Sequence, residues 1–275
     1  MEPFILKNSE YFVIKEWAEK FHGLTAGFTS KNGGCSQEPF STMNVGLHVN
    51  DSFETVSQNR KRMANLLDFP LDSWIGAEQT HEVHIEKVSL DSAGKGSLLY
   101  DESFKGTDGF FTFEKGILLT LCYADCVPLF FCHEATGAIG AAHAGWKGTV
   151  YGIAREMVQL YQREGMDEKG IHVIIGPSIC EKCYIVDDRV ISLVENKLED
   201  IENKPYNQVG DNQFHLDLKQ LNKEILLKAG IMEKNMKVSN LCTSCDTDHF
   251  FSHRRDKGKT GRMMSFIGWK EDLQT

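Results

Sequence analysis

His81, Cys126 and His143 are the residues of this chain whose chemistry most needs a partner. Cys126 and His143, together with Asp125, lie in its most apolar stretch, Gly116 to Lys147, among residues that otherwise read as buried strand. A polar group taken out of water without a partner costs roughly 2 to 7 kcal/mol even when neutral, so these side chains must be bonded to something. A metal ion is one such partner. Two imidazoles and a thiolate suit zinc, and three protein ligands leave a fourth position open for water or substrate, the catalytic pattern. Zinc there would lower the pKa of bound water toward ~7 or act as a Lewis acid. The same trio admits a second reading, in which Cys126 is the nucleophile of a cysteine hydrolase with His81 or His143 as its base. Spacing does not separate the two. His81 and Cys126 stand 45 positions apart and Cys126 and His143 stand 17 apart, so each group comes from its own strand end.

Other reactive side chains are weaker candidates. Cys180 with Cys183 and Cys242 with Cys245 form two C-x-x-C pairs, but 59 positions separate Cys183 from Cys242. That exceeds the ~15 to 20 of a zinc ribbon, so separate buried thiols are expected rather than a four-cysteine site. Arg60 and Arg62 sit on or beside a helix, where surface exposure alone accounts for them. His253, Arg254, Arg255 and Arg262 cluster in loop-like sequence. Neither G-x-G-x-x-G nor G-x-x-x-x-G-K-[ST] occurs after a strand here, which removes the dinucleotide and Walker-type readings.

The elements that must position these groups follow from periodicity. Ile117 to Tyr123, Val127 to Cys132 and Ala138 to Ala142 are short apolar runs broken by turn signals, as in strands covered on both faces. Asn44, Gly46, His48 and Asn50 alternate with Met43, Val45, Leu47 and Val49, which predicts a strand with one polar face. Asp51 or Ser52 can cap a helix with Phe53, Val56, Met63, Leu66 and Leu67 as its stripe, ended by Pro70. His81 begins a strand-like run to Val88. Val150, Ile153, Ala154, Met157, Val158 and Tyr161 predict a helix after His143, and a strand follows at 171–176, the order of a crossover unit. The helix start beside Gly145 and Gly148 offers backbone N–H groups to an anion. Helices are further predicted over 187–199 and 216–229, with a polar loop at 200–214 and strands at 236–241 and 264–269. One mixed α/β domain, a mixed β-sheet flanked by helices, is the economical architecture.

The totals set limits. The chain has 275 residues, 41% hydrophobic and 25% charged, as in soluble globular proteins. A net charge of -9 argues against a nucleic-acid surface. The N-terminus lacks a basic region followed by a continuous apolar one, and Asp125 and Pro128 interrupt the most apolar run, so neither a secretory signal nor a membrane span is expected. A cytoplasmic protein follows. Eight cysteines are too few for a disulfide scaffold.

The runs GFTSKNGG, NVGLHVND, QTHEVH, TDGFFT, ADCVPL, AHAGWKG, IGPSI and FFSHRRDKGKTGRM, in this order over roughly residues 23 to 268, resemble the YlmD/YfiH family, formerly labelled polyphenol oxidase or laccase domain. The resemblance implies a single-domain α/β sandwich, one catalytic domain over residues 1–275. It further implies zinc held by His81 of QTHEVH, Cys126 of ADCVPL and His143 of AHAGW. The implied activity is phosphorolysis of the purine nucleosides adenosine, inosine and 5'-methylthioadenosine to free base and pentose 1-phosphate, with adenosine deamination beside it. The expected partners are nucleoside and phosphate, with neither nucleic acid nor membrane, and the chain acts as a monomer or homodimer.

For that reaction Arg60 is the first choice for phosphate, because a guanidinium can bind two oxygens at once. Asn44 and His48 would contact ribose or phosphate, Asp125 would orient a ligand or touch the base, and Arg254 is a second phosphate candidate. The older label would need copper, which such a donor set can bind. The sequence offers no second cluster of His and Cys for a multi-copper array, so a polyphenol oxidase ranks below the nucleoside enzyme. The H-x-E and P-C-x-x-C signature of zinc deaminases is absent, since Glu82 follows His81 directly.

Overall fold

The computed structural model describes residues 1–196 and 204–271. In chain order its elements are β1 (Phe4–Asn8), β2 (Tyr11–Ile14), α1 (Lys15–Lys20), β3 (Leu24–Thr29), α2 (Phe53–Leu67), β4 (Trp74–Ile75) and β5 (Ile85–Lys87). Then come β6 (Gly109–Thr112), β7 (Leu118–Tyr123), β8 (Val127–His133), β9 (Ile139–Ala144), α3 (Trp146–Tyr151), α4 (Ile153–Arg163) and β10 (Ile171–Ile175). The last part holds β11 (Ile185–Val186), α5 (Asp188–Glu195), β12 (Tyr206–Gly210), β13 (Gln213–Leu216), α6 (Leu218–Lys228), β14 (Met236–Val238) and β15 (Met263–Trp269).

Two six-stranded sheets, β1-β2-β3-β15-β7-β4 and β14-β10-β8-β9-β6-β5, carry the architecture, and β11-β13-β12 make a small third one. Successive side chains on a strand point to opposite faces, and here both faces are covered. On β8, Phe130 and Cys132 meet Phe28, Leu119 and Leu121 of the other sheet, while Val127, Leu129 and Phe131 pack among Ile153, Met157 and Leu221 of the helices. On β15, Ile267 faces the space between the sheets and Met264 and Phe266 face Met63 and Leu67 of α2. The order of layers is therefore helix, sheet, sheet, helices: an α/β sandwich with mixed sheets flanked by helices. Each fully buried large apolar side chain contributes about 1.5 to 3 kcal/mol.

Several local expectations change. Residues 43–50 form no strand; the carbonyls of Asn44 and Val45 accept from the Asn59 and Arg60 side chains of α2 rather than from a neighbouring strand. Ser52 caps α2 by accepting from the Thr55 amide, yet Phe53 of the predicted stripe is exposed. The helix after His143 is two helices, α3 and α4, broken at Gly152 with φ 95°. The loop predicted at 200–214 contains the β12–β13 hairpin, and its residues 200–203, like 197–199 of the predicted helix, lie outside the described residues. The final predicted strand is β15, which lies inside its sheet between β3 and β7. The crossover is present, because β9 and β10 both run antiparallel to β8, which lies between them.

Besides β6 to β7, three connections pass from one sheet to the other: β4 to β5, β7 to β8, and β14 to β15. They bring polar residues of distant sequence to the same end of the sandwich. Among the described residues no helix is long and apolar enough to cross a membrane.

Candidate functional site

His81 lies in the β4–β5 connection, Cys126 immediately before β8, and His143 on β9. Val127 pairs with Ala144 and Pro128 with His143, so the hairpin register sets Cys126 beside Gly145. His81 arrives through Asp108, a buried carboxylate just ahead of β6. Its two oxygens accept the consecutive backbone amides of Thr80, His81 and Glu82 at 3.0, 3.1 and 2.9 Å. This clasp holds His81 at φ 63°, a left-handed conformation that costs a non-glycine residue of order 1 to 3 kcal/mol without such support. Asp108 Oδ1 also accepts from His143 Nδ1 at 2.8 Å, which leaves Nε2 to face Cys126. One ligand atom from each of His81, Cys126 and His143 lies within 4.8 Å of the others, a group that could hold a metal ion.

The donor set fits a cation. Burial acts to raise the Cys126 thiol, but His143 and His81 outweigh it and bring the group down to about 6. Burial acts to lower His143, but Cys126 and Asp108 outweigh it and raise the ring to about 9. A thiolate is thus favoured where two imidazole nitrogens converge, and a histidine held by a carboxylate on its far nitrogen is the usual arrangement around a metal. Gly145 leaves the room: a Cβ there would stand 2.8 Å from His81 Cδ2 and 3.2 Å from Cys126 Sγ.

The trio opens into a cavity of about 450 Å³, within the range of small-molecule sites. Asp125, His48 and Arg254 line it, as do Arg262, Gln79 and the aromatic side chains of Tyr100, Trp146 and Tyr184. Asp125, at φ 88°, is buried, and its carboxylate accepts from Thr243 Oγ1 at 2.6 Å, Ser252 Oγ at 3.0 Å and the Arg254 amide at 2.7 Å. It fixes the β14–β15 connection against the β7–β8 turn. Arg254 lies over the Tyr184 ring, 4.8 Å from its centroid. His48 lines the cavity with its side chain open to solvent, and the surrounding protein, then the Arg262 and Arg60 charges, act to lower its pKa, which favours the neutral ring near pH 7.

Two expected contacts stand elsewhere. Arg60 is 3% exposed, and its guanidinium donates to the carbonyls of Val45, Gly96 and Ser97. It ties two loops together and does not line the cavity. Asn44 is likewise buried behind the wall, where its Oδ1 accepts the amides of Gly46 and Arg262 and its Nδ2 donates to Asp51. Sequence reasoning passed over Asp108 and named Arg262 only as part of a loop cluster. The motif TDGFFT, with its carboxylate directly before an apolar strand, holds Asp108 but does not set it apart from an ordinary turn residue.

The family model described as multi-copper polyphenol oxidoreductase laccase matches residues 25–270. A Bacillus subtilis protein named purine nucleoside phosphorylase YlmD is 46% identical over 98% of both chains. The crystal structure of YlmD from Geobacillus stearothermophilus superposes with a TM-score of 0.96 at 43% identity, covering 98% of this chain and 100% of that one. The crystal structure of Bacillus licheniformis hypothetical protein YfiH gives 0.95 at 45%, with the same coverage. The chain therefore belongs to this family, that of the YlmD and YfiH proteins.

Proposed function

We propose that the chain is a zinc-dependent purine nucleoside phosphorylase that cleaves adenosine, inosine and 5'-methylthioadenosine with phosphate, and deaminates adenosine as a second activity. The observation that carries this reading is the convergence of His81, Cys126 and His143 on a cavity that also presents two guanidiniums and three aromatic rings. The name of the Bacillus subtilis relative supports it. In this reading residues 1–275 act as one catalytic domain, in the cytoplasm, as a monomer or homodimer.

In phosphorolysis a phosphate oxygen bonds to the anomeric carbon as the bond from that carbon to the purine nitrogen breaks. The electron pair leaves with the base, which takes up a proton. Arg262 and Arg254 attract and orient phosphate, the role that burial denies to Arg60. Tyr100, Tyr184 and Trp146 offer faces on which a purine stacks, worth about 1 to 3 kcal/mol per base. His48, uncharged, accepts a hydrogen bond from a ribose hydroxyl. Asp125 acts by holding Arg254 and the loop around it in place. Asp108 keeps His143 in one tautomer. Zinc bound by His81, Cys126 and His143 supplies Lewis acidity beside the substrate. Copper also suits these donors, but a laccase needs further copper ligands, and the other candidate cluster among the described residues is four cysteines without a histidine.

One observation favours a second reading. Cys126, His143 and Asp108 form a nucleophile, base and orienter chain like that of a cysteine hydrolase. Against it, His81 also reaches the Cys126 sulfur, and two imidazoles on one thiolate make a ligand set rather than a nucleophile and its base. Metal analysis joined to phosphate-dependent release of hypoxanthine from inosine tests the assignment. His81→Ala should lose both the metal of this site and the cleavage. A fully metal-loaded wild type that turns over no nucleoside would refute the phosphorylase, and inactivation by alkylation of a metal-free, active enzyme would favour the hydrolase.

A further inference from the structure

Cys180, Cys183, Cys242 and Cys245, which the sequence spacing separates, are gathered by the fold. β10 and β14 are parallel neighbours, with Ile175 paired to Val238, and the pairing continues as a bridge from Ser178 to Cys242. Each C-x-x-C therefore leaves the same end of adjacent strands, and the intervening residues 184–241 include β11 to β13, α5 and α6 before the chain returns through β14. A limit on spacing drawn from zinc ribbons assumes that a short hairpin joins the pairs. Here parallel strand pairing does what the hairpin would do.

From this juxtaposition we propose a second metal site, a structural zinc held by these four cysteines. One sulfur from each lies within 4.8 Å of the rest. Cys245 Sγ is 3.8 Å from Cys180 Sγ and 3.4 Å from Cys183 Sγ. Tetrahedral zinc with bonds of about 2.3 Å places its sulfurs about 3.8 Å apart, so the spread matches the ion. The same separations are far longer than the ~2.05 Å of a disulfide.

The surroundings suit a thiolate at Cys242. Cys242 Sγ accepts the backbone amides of Cys180 at 3.2 Å and Cys245 at 3.4 Å, bonds that stabilise negative sulfur, the first joining the two pairs and the second folding its own pair into a knuckle. The ammonium of Lys219, a buried residue, donates to the carbonyls of Ser239 and Leu241 and lies within electrostatic reach of Cys242 and Cys180. Four thiols binding one Zn2+ release four protons and leave a net charge of two minus, part of which Lys219 offsets. With four protein ligands the site is closed, so its work is structural.

The position explains the need. Tyr184 follows Cys183 and lines the substrate cavity, and Thr243, inside the second knuckle, donates to Asp125. The ion therefore adds a fastening between two cavity walls, beside the Ser178–Cys242 bridge and the contact of Arg254 with Tyr184. Cys132, by contrast, is a buried thiol of the core, pushed up to about 12 chiefly by burial.

The test is zinc stoichiometry in protein purified under reducing conditions. Wild type should hold two zinc ions per chain, and His81→Ala should hold one. Cys245→Ser and Cys183→Ser should each lose the other ion and lower the unfolding temperature. Should the serine variants fail to fold, His81→Ala itself answers: a mercurial thiol reagent should release its single zinc to a metallochromic dye, and cobalt substitution should give the charge-transfer bands of a tetrathiolate. One ion in wild type and none in His81→Ala would overturn the proposal. An intact mass lacking the thiol hydrogens of these cysteines, showing disulfides, would overturn it as well. None of these readouts uses nucleoside turnover, so this site and the proposed activity stand or fall separately.

Discussion

Asp108 accepts a hydrogen bond from His143 Nδ1 at 2.8 Å and, through the same oxygen, the backbone amide of His81 at 3.1 Å. One carboxylate thus orients one histidine of the cluster through its ring and the other through its backbone. Asp108→Asn keeps the size and one acceptor oxygen but leaves part of this set unmatched. The affinity for the metal at His81, Cys126 and His143 should fall roughly 10- to 100-fold, measured by competition with a chelator. Unchanged affinity would show that the histidines orient themselves.

Gly145→Ala asks whether the cluster needs the missing side chain. The backbone at Gly145, with φ -68° and ψ 172°, accepts alanine, so any effect comes from the new methyl against His81 and Cys126. Metal affinity should drop about tenfold or more, a contact cost of about 1.4 kcal/mol. The metal-free protein should keep or slightly gain stability, since alanine restricts the unfolded chain. Thermal unfolding with and without metal separates the two effects.

The candidate cluster was legible in the sequence because burying Cys126 and His143 among apolar residues demands a partner, and the strands beside them read clearly. Asp108 was not, since an aspartate before a strand looks like any turn residue until its three amide partners are seen. The alternation at 43–50 imitated a strand, but what its backbone meets is decided by the Asn59 and Arg60 side chains. The four cysteines were misjudged because sequence distance says nothing of strand adjacency. The placement of two arginines was beyond sequence reasoning for a related reason: burial of Arg60 and exposure of Arg262 to the cavity are properties of the fold.

Arg60 and Arg262 should therefore separate on mutation. Arg60→Lys removes a guanidinium fork from three buried carbonyls and should cost about 2 to 4 kcal/mol in urea unfolding, with little change in KM for phosphate. Arg262→Gln should do the reverse: a modest loss of stability and a KM for phosphate raised roughly tenfold or more, the weight of a charged hydrogen bond. If Arg60→Lys instead raised that KM in a protein of normal stability, the phosphate site would lie behind the present cavity wall.

Asp256 gives the region an acid-sensitive fastening. Its carboxylate accepts from Arg255 Nε at 2.8 Å, Thr260 Oγ1 at 2.9 Å and the Ser252 amide at 3.2 Å. Burial acts to raise its pKa, but Arg255, Ser252 and Thr260 outweigh it and hold the group below its ordinary 3.8. As pH falls the unfolded chain takes up this proton first, so the stabilisation is complete above the unfolded value and is lost through the lower folded one. Asp256→Asn should lower stability by on the order of 1 kcal/mol at pH 7. The gap to wild type in urea unfolding should hold down to about pH 4 and narrow below it. A gap that widened in acid would mean that the folded chain binds this proton more tightly than the unfolded one. Because Ser252 also donates to Asp125, the same acid range should loosen the loop that carries Arg254 before the two sheets separate.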